Sequence, residues 1–443
     1  MIQQRLLMTA LAAAMSAAAG MNAAAQAETP AAVITLEEIF ASAEANSSQL
    51  RPSFAAEREA QLAVDVAKAS RLPDINANIA FSFIGDGFTT ARDFSDYQKA
   101  PIPHYGNSAG IDIEQPIYTG GAITAGIRMA ELKSSASRFA TDLQRDNIRF
   151  RLAGYYLDIY KFSNLRTVME QNIARAEKVL EEMRARYEQG TALSNDITRY
   201  ELLLSNYNLQ LVKIDNMISI LSSDLLITAG MDPTLKFTPD ASILDKALPS
   251  RNGEWWESEA LGNSPRMQLA SSGVEISKQA ERLAKSDLLP KIGVQAKWVL
   301  DGPVLVEVPP INRNLSYWYV GLGVSYDVSS LYKGRRNLDR SRAATAVAVD
   351  QAAATSDELT MQIRAEYIKY LEAYEELKTC EKSVELANRN YDVTATRYSA
   401  DMALITDMLD AANARLDADQ QLINARINII YNYYKLLFTS GTI

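Results

Sequence analysis

The sequence predicts a mainly α-helical chain with a smaller β part, built as an internal duplication, and three observations carry this expectation. The second half repeats the order of the first. Each half contains a helical run almost free of chain breakers: Arg335 to Ala400 holds no Gly or Pro, and Ile127 to Gln189 only Gly154. Four segments alternate apolar and polar residues with the period of a strand that has one buried face.

Self-comparison fixes the repeat, since a fixed internal period decides the architecture before any single motif does. "SRLPDINANIAFSF" at Ser70 to Phe83 returns as "SDLLPKIGVQAKW" at Ser286 to Trp298, with Pro73 matched to Pro290 and Ile75 to Ile292. "PIYTGG", with Tyr118 and Gly120, returns as "SLYKGR", with Tyr332 and Gly334. "RYEQGTALSND" at Arg186 to Asp196 returns as "RYSADMALITD" at Arg397 to Asp407, and the match continues without a gap to Gly230 and Gly441. The repeats span residues 28–230 and 255–443, and residues 231–254 link them through Pro233, Pro239 and Pro249.

In chain order, residues 1–27 read as a signal peptide: Arg5, an apolar run from Leu6 to about Met21, and small residues at Ala25 to Ala27 before Glu28. The mature chain is therefore exported. Its lone Cys380 can form no intrachain disulfide, and at the spacing Leu377, Cys380, Val384 it reads as a small buried hydrophobe. Each repeat then has a helix, two strands, a long helix, a tip turn and a returning helix. In the first, a helix from Thr35 to Ser70 precedes strands at about 74–84 and 108–117, a long helix 122–189 and a returning helix 194–229. In the second, a helix precedes strands at about 291–300 and 315–328, a long helix 335–400 and a returning helix 405–440.

Apolar positions of the first long helix (Leu152, Tyr155, Ile159, Phe162, Leu165, Met169, Ile173, Ala176, Leu180, Met183, Tyr187) alternate three and four residues apart, the seam of a coiled coil. At about 1.5 Å per residue such a rod reaches on the order of 95 Å, far beyond an ordinary domain. Two half-length helices stacked beside each long one account for the lengths. Gly190, and Asp401 near the matching position, suit a turn that needs positive φ.

The strands carry Ile75, Ala77, Ile79, Phe81 and Phe83, then Ile111 and Ile113, then Ile292 to Trp298, then Trp318 to Val324 on apolar faces. Polar residues including Asp112, Glu114, Lys297 and Asp327 alternate with them. Strands of about ten residues with aromatics near their ends have the pattern of an outer-membrane barrel. Four strands cannot close one, and an open edge in lipid leaves backbone groups unpaired. Two chains would supply eight strands and three would supply twelve.

Composition excludes other classes. A net charge of −9 offers no basic surface for nucleic acid. One histidine, His104 in a Pro/Gly-containing loop, with no second histidine or thiol near it, leaves zinc or iron chemistry little to work with. Asp407 and Asp410, three apart on the second returning helix, could have been an acid pair of an enzyme; both turn away from the seam through Leu409, Ala412 and Leu416, toward solvent or a lumen.

On these residues the chain resembles the TolC-type outer-membrane factors, exit channels of tripartite efflux pumps and type I secretion systems. The resemblance rests on the "LP" strand entries Leu72-Pro73 and Leu289-Pro290, the corners "QPIYTGG" and "SSLYKGR", and the tip turns "RYEQGTALSND" and "RYSADMALITDMLDA". It implies no enzyme and no cofactor, but a homotrimer in which three chains share a twelve-stranded barrel in the outer membrane of a Gram-negative bacterium. A tunnel of α-helical coiled coil then continues through the periplasm, opened at its tip by a periplasmic adaptor (a membrane fusion protein) and an inner-membrane pump.

In that family's terms Asp407 and Asp410 line the periplasmic constriction, with Asp196 at the corresponding position of the first repeat. Gly190, Thr191, Ala192 and Leu193, with Asp401, Met402, Ala403 and Leu404, form the tip turns that meet the adaptor. Asp112, Glu114, Lys297 and Asp327 face the barrel lumen, where the acids are expected to favour cations. Ala403 stands where some members carry a basic residue that helps lock the tip. The chain's end at Ile443, close behind the last helix, implies a reduced C-terminal share of the equatorial belt. A periplasmic adaptor or a structural coiled-coil protein of the envelope is the alternative, but an adaptor needs one helical hairpin, and this chain supplies two with paired strands.

Overall fold

A computed structural model of the chain describes residues 32–443 apart from 192, 245–247, 250, 306 and 308–309. The expected signal peptide and Ala192 of the first tip lie outside the described residues. A short strand β1 (Ala32–Ile34) leads into α1 (Leu36–Asn46). Thr35 starts this helix as a reciprocal cap: its hydroxyl accepts the Glu38 N–H at 3.3 Å, and the Glu38 carboxylate accepts the Thr35 N–H at 2.8 Å.

The single opening helix expected from Thr35 to Ser70 is two helices, because Pro52 sits in the first turn of α2 (Arg51–Ala69), where a proline is tolerated as a start and not as a continuation. Strand β2 (Asp74–Phe83) follows, then a small hairpin of β3 (Gly87–Thr89) and β4 (Gln98–Ala100), and the long strand β5 (Tyr105–Tyr118). Helix α3 (Ala122–Glu188) runs 67 residues, roughly 100 Å at the helical rise, and α4 (Ser194–Ala229) returns along it.

After β6 (Phe237–Pro239) and a 3₁₀ turn (Ala241–Leu244), the second repeat opens with the same proline break, α5 (Gly253–Asn263) then α6 (Pro265–Ser286). Strands β7 (Lys291–Gly302) and β8 (Leu315–Ser325), the 70-residue helix α7 (Ser330–Ser399) and α8 (Ile405–Ser440) complete it.

Within each repeat the two shorter helices pack end to end beside the long one, α2 and α4 on α3, α6 and α8 on α7. Helix α3 also touches α6 toward the sheet and α8 toward the tips, which joins the repeats side by side. Its seam residues Leu152, Ile159, Met169, Ile173, Ala176, Leu180 and Met183 are buried, whereas Tyr187, next to the tip, is half exposed. On α8 the buried line runs through Met408, Ala411, Ala412, Leu416, Ile427 and Ile430, one residue round from the seam drawn through Leu409, which is only partly covered.

The thickest core lies at mid-length, where α1, α3, α4 and α8 bring Ile39, Leu50, Leu152, Leu157, Leu225, Leu226 and Ile430 together. There β1 pairs in parallel with β6 of the linker, and the Tyr156 hydroxyl ties both: it donates to the Ile34 carbonyl at 2.8 Å and accepts the Asp240 N–H at 2.6 Å. A second cluster holds Trp256 against Tyr433, Leu359 and Leu436. Cys380 is buried on α7, and burial pushes its thiol pKa up.

The four long strands form one antiparallel sheet in the order β2-β5-β7-β8. The register carries each alternation across the whole sheet. Asp74, Glu114, Gln295 and Gly321 form one row of the polar face and Asn76, Asp112, Lys297 and Tyr319 the next. Ile75, Ile113, Ala296 and Val320, then Ala77, Ile111, Trp298 and Trp318, form the apolar rows. Asp327 lies past the end of β8; it is not a strand residue, because its carboxylate accepts the Ser329 N–H at 2.9 Å at the start of α7. His104 sits between β4 and β5, stacked on Phe83 with ring centroids 5.5 Å apart.

Asp146 on α3 is buried among Arg149, Asp142 and Arg145, and loss of solvent pushes its carboxyl up from the ordinary 3.8 to about 6, against the pull of the arginines. A raised carboxyl pKa means the folded chain holds a proton that the unfolded chain releases. Stability therefore falls as pH rises from about 4 to about 6 and stays lowered above that. Asp146→Asn should lose this slope and gain about 1–2 kcal/mol over the wild type between pH 4 and pH 7, allowing for partial screening; helix melting by circular dichroism at the two pH values checks it.

The helical tips and the open sheet

Both hairpin turns are built alike. At the end of α3 the Thr191 N–H donates to the Arg186 carbonyl at 2.9 Å, and at the end of α7 the Met402 N–H donates to the Arg397 carbonyl at 2.8 Å. Each turn requires one left-handed residue: Gly190 with φ 75° in the first and Asp401 with φ 61° in the second. Glycine takes that conformation freely, whereas aspartate takes it at some cost. Thr191, Leu193, Asp401, Met402 and Leu404 are exposed at the turns, and Ala403 is partly covered.

The two tips touch. The Arg186 guanidinium forms an ion pair with the Asp401 carboxylate and lies over the Tyr398 ring, 5.9 Å from its centroid. Burial first, and the negative charges of Asp196 and Asp401 after it, push the Tyr398 hydroxyl pKa up, with Arg186 acting the other way. Asp196 in the first turn of α4 thus faces the second hairpin. Further from the tips Tyr200 of α4, hydrogen-bonded to Tyr391 of α7, is buried, and Arg415 stacks on Tyr391 at 4.8 Å.

Asp407 and Asp410 are exposed on α8, turned away from the buried line through Met408 and Ala412. Asp407 also holds the backbone locally, because its Oδ2 accepts the Leu404 N–H at 3.1 Å and closes the first turn of the helix. Asp410 has no such bond among the described residues. Arg186 and Tyr398 were not singled out from sequence, although the "RY" pairs at Arg186-Tyr187 and Arg397-Tyr398 mark both ends of the repeat. The arginine of the first pair and the tyrosine of the second are the ones that meet.

On the sheet, the Lys297 ammonium lies 2.9 Å from the Asp112 carboxylate. The polar face is therefore less acidic than its aspartates suggested, with Asp112 neutralised locally and Asp327 removed to a corner. Glu114 keeps only a long contact of 3.5 Å with Gln295. The apolar face is bare: Ile75, Phe81, Trp318 and Leu322 are 65 to 84 % exposed. Among the described residues no helix is long and apolar enough to cross a membrane.

The sequence profile of outer membrane efflux proteins matches residues 39–220 and again 256–442, once per repeat. The chain belongs to the outer membrane efflux protein family. Curated relatives span nearly the whole chain. It is 22% identical over 418 residues to the pyoverdine export outer membrane protein OpmQ of Pseudomonas aeruginosa, covering 91% of this chain and 84% of that protein. It is 23% identical over 422 residues to the outer membrane protein TolC of Vibrio cholerae, covering 92% and 91%. Its fold matches the outer-membrane channel OprN with a TM-score of 0.78 at 16% identity, over 92% of this chain and 90% of that one. The family's members are outer-membrane channels, and the chain shares the fold of OprN.

Asp407→Ala in this efflux protein should fray the first turn of α8 by about 0.5–2 kcal/mol, the usual worth of a helix-start acceptor, and Asp407→Asn should not. Amide hydrogen exchange at Leu404 and Met408 distinguishes the two variants.

Proposed function

We propose that this chain is one third of a trimeric outer-membrane channel-tunnel that serves as the exit duct of a tripartite efflux pump or type I secretion system. The observation that carries the reading is the open sheet: apolar across one whole face, polar across the other, with β2 and β8 unpaired at its edges. Strand direction alternates from β2 to β8, so a second copy's β2 continues the antiparallel order when it pairs with β8. Two copies would close eight strands, whose interior side chains fill; three close twelve and leave a lumen lined by the polar rows.

The rods, roughly 100 Å long, then extend the duct from the sheet through the periplasm, and the tips lie at its far end. Copies of Asp407, Asp410 and Asp196 brought around that narrow end form acidic rings that attract cations and repel anions. The duct is passive. A periplasmic adaptor engages the tip turns at Gly190 to Leu193 and Asp401 to Leu404, and an inner-membrane pump supplies the energy that opens them.

Planar-bilayer recording tests this with the full chain extracted from outer membranes. The wild type should conduct with a preference for cations, and Asp407→Asn with Asp410→Asn should shift the reversal potential toward neutral selectivity while Asp407→Asn preserves the helix start. Unchanged selectivity in the double variant would remove the carboxylates from the gate, and recovery of the protein as a free periplasmic species would sink the channel reading altogether.

A further inference from the structure

We propose that the corner where β8 turns into α7 is a binding site for a zwitterion of the phosphoethanolamine type, a phosphate ester with an ammonium group two carbons away. The site goes beyond the conduit reading and stands on its own residues. A cavity of about 580 Å³ opens between the entry to β7 and the first turns of α7. Four charged groups line it, Asp287, Lys291, Asp327 and Lys333, so their formal charges sum to zero. None of the four forms an ion pair among the described residues, although one cavity gathers them. Opposite charges held apart around a space suit a ligand that carries both signs.

The wall also holds an unused donor. Ser330 is 5% exposed, and its hydroxyl has no hydrogen-bond partner among the described residues, a cost that a ligand in the cavity beside it removes. The backbone donors of the first turn are already spent: the N–H groups of Ser330, Leu331 and Tyr332 go to the carbonyls of Asp327, Val328 and Ser329. Helix α7 therefore offers the positive end of its dipole, and side chains offer the bonds. Those are the ammonium groups of Lys291 and Lys333, the hydroxyls of Ser329 and Ser330 and the amide of Asn337. Five side-chain donors exceed what the two oxygens of a carboxylate need and suit a phosphate. The Asp327 carboxylate already holds the Ser329 N–H at 2.9 Å, which leaves Asp287 as the acceptor for the ligand's ammonium.

The duplication supplies a comparison within the chain. With Pro73 matched to Pro290 and Tyr118 to Tyr332, the other corner carries Asp74 for Lys291, Thr119 for Lys333, Pro116 for Ser330, Ile123 for Asn337 and Ser70 for Asp287. A strand still turns into a long helix there, so the turn itself does not require the lysines or the buried hydroxyl. The second corner lies where the apolar rows of β8 stop, at the head-group depth of the proposed barrel. Val324, Val328 and Leu331 beside it are 59 to 65% exposed. Phosphoethanolamine reaches such a place either as a lipid head group or as a soluble zwitterion.

The experiment uses the full chain extracted from outer membranes in mild detergent. Titration calorimetry with soluble phosphoethanolamine should show saturable binding to the wild type, weakened about five- to tenfold in Lys333→Gln and in Ser330→Ala, each checked for an unchanged melting temperature. Asp287→Asn should weaken phosphoethanolamine and leave inorganic phosphate as in the wild type, which separates a zwitterion site from a basic surface. Native mass spectrometry after incubation with vesicles of phosphatidylethanolamine or of phosphatidylglycerol distinguishes the sources. Phosphatidylethanolamine retained by the wild type and lost in Lys333→Gln assigns the site to a lipid head group; calorimetric binding without lipid retention assigns it to a soluble zwitterion. Binding of neither form, binding that all three variants leave unchanged, or phosphatidylglycerol held through Lys333 as tightly as phosphatidylethanolamine overturns the site. Conductance reads the conduit separately, so these outcomes leave that reading in place.

Discussion

The unpaired edges of one sheet govern the rest of this structure. Strands β2 and β8 each present a row of backbone N–H and C=O groups with no strand partner among the described residues, on a sheet whose apolar face is bare. In water such an edge invites aggregation, and in hydrocarbon each unsatisfied group costs several kcal/mol. The proposed closure with further copies would remove the edges, give the apolar rows a lipid environment and turn the polar rows inward. The same closure would gather the helical rods into a ring and offer neighbours to Leu202, Leu209, Val212 and Ile220 on α4 and to Val347, Met361 and Ile368 on α7, which are exposed in the single chain.

In the proposed channel the rods would carry closure of the sheet at one end to the tips at the other. Their continuity follows from the lack of chain breakers, and their pairing from seams that bury Leu152, Met169, Leu180 and Met183 on α3 and Met408, Leu416 and Ile427 on α8. Mid-length, the parallel pair β1–β6 and the Tyr156 hydroxyl clamp the N-terminal strand to the linker between repeats. Toward the tips the two repeats meet through a further apolar cluster, in which Leu180, Met183 and Tyr200 pack with Ile405, Met408, Ala412 and Leu416, and the Arg186–Asp401 pair over the Tyr398 ring lies at its exposed end.

Much of the architecture was legible because it rests on periodicity. The duplication, the long helices and the row-by-row alternation of the strands are all repeated patterns, and repetition survives reading one letter at a time. Breaks and pairings were harder. The opening helices divide at Pro52 and Pro265, a device the sequence shows twice, yet a long helical pattern conceals it. Asp327 continued the alternation of β8 by one more step, but its carboxylate is spent on the next helix. Asp112 looked like a free acid until register placed Lys297 beside it. Arg186 lay hidden for the same reason: its partner is 215 residues away, and only the lateral packing of α3 on α8 brings the tips together.

Native mass spectrometry of the complex extracted from outer membranes in mild detergent tests the central claim most directly, since each closure has its own stoichiometry. Twelve strands around a lumen require a particle of three processed chains; a single chain, or a pair closing eight strands, would contradict the account.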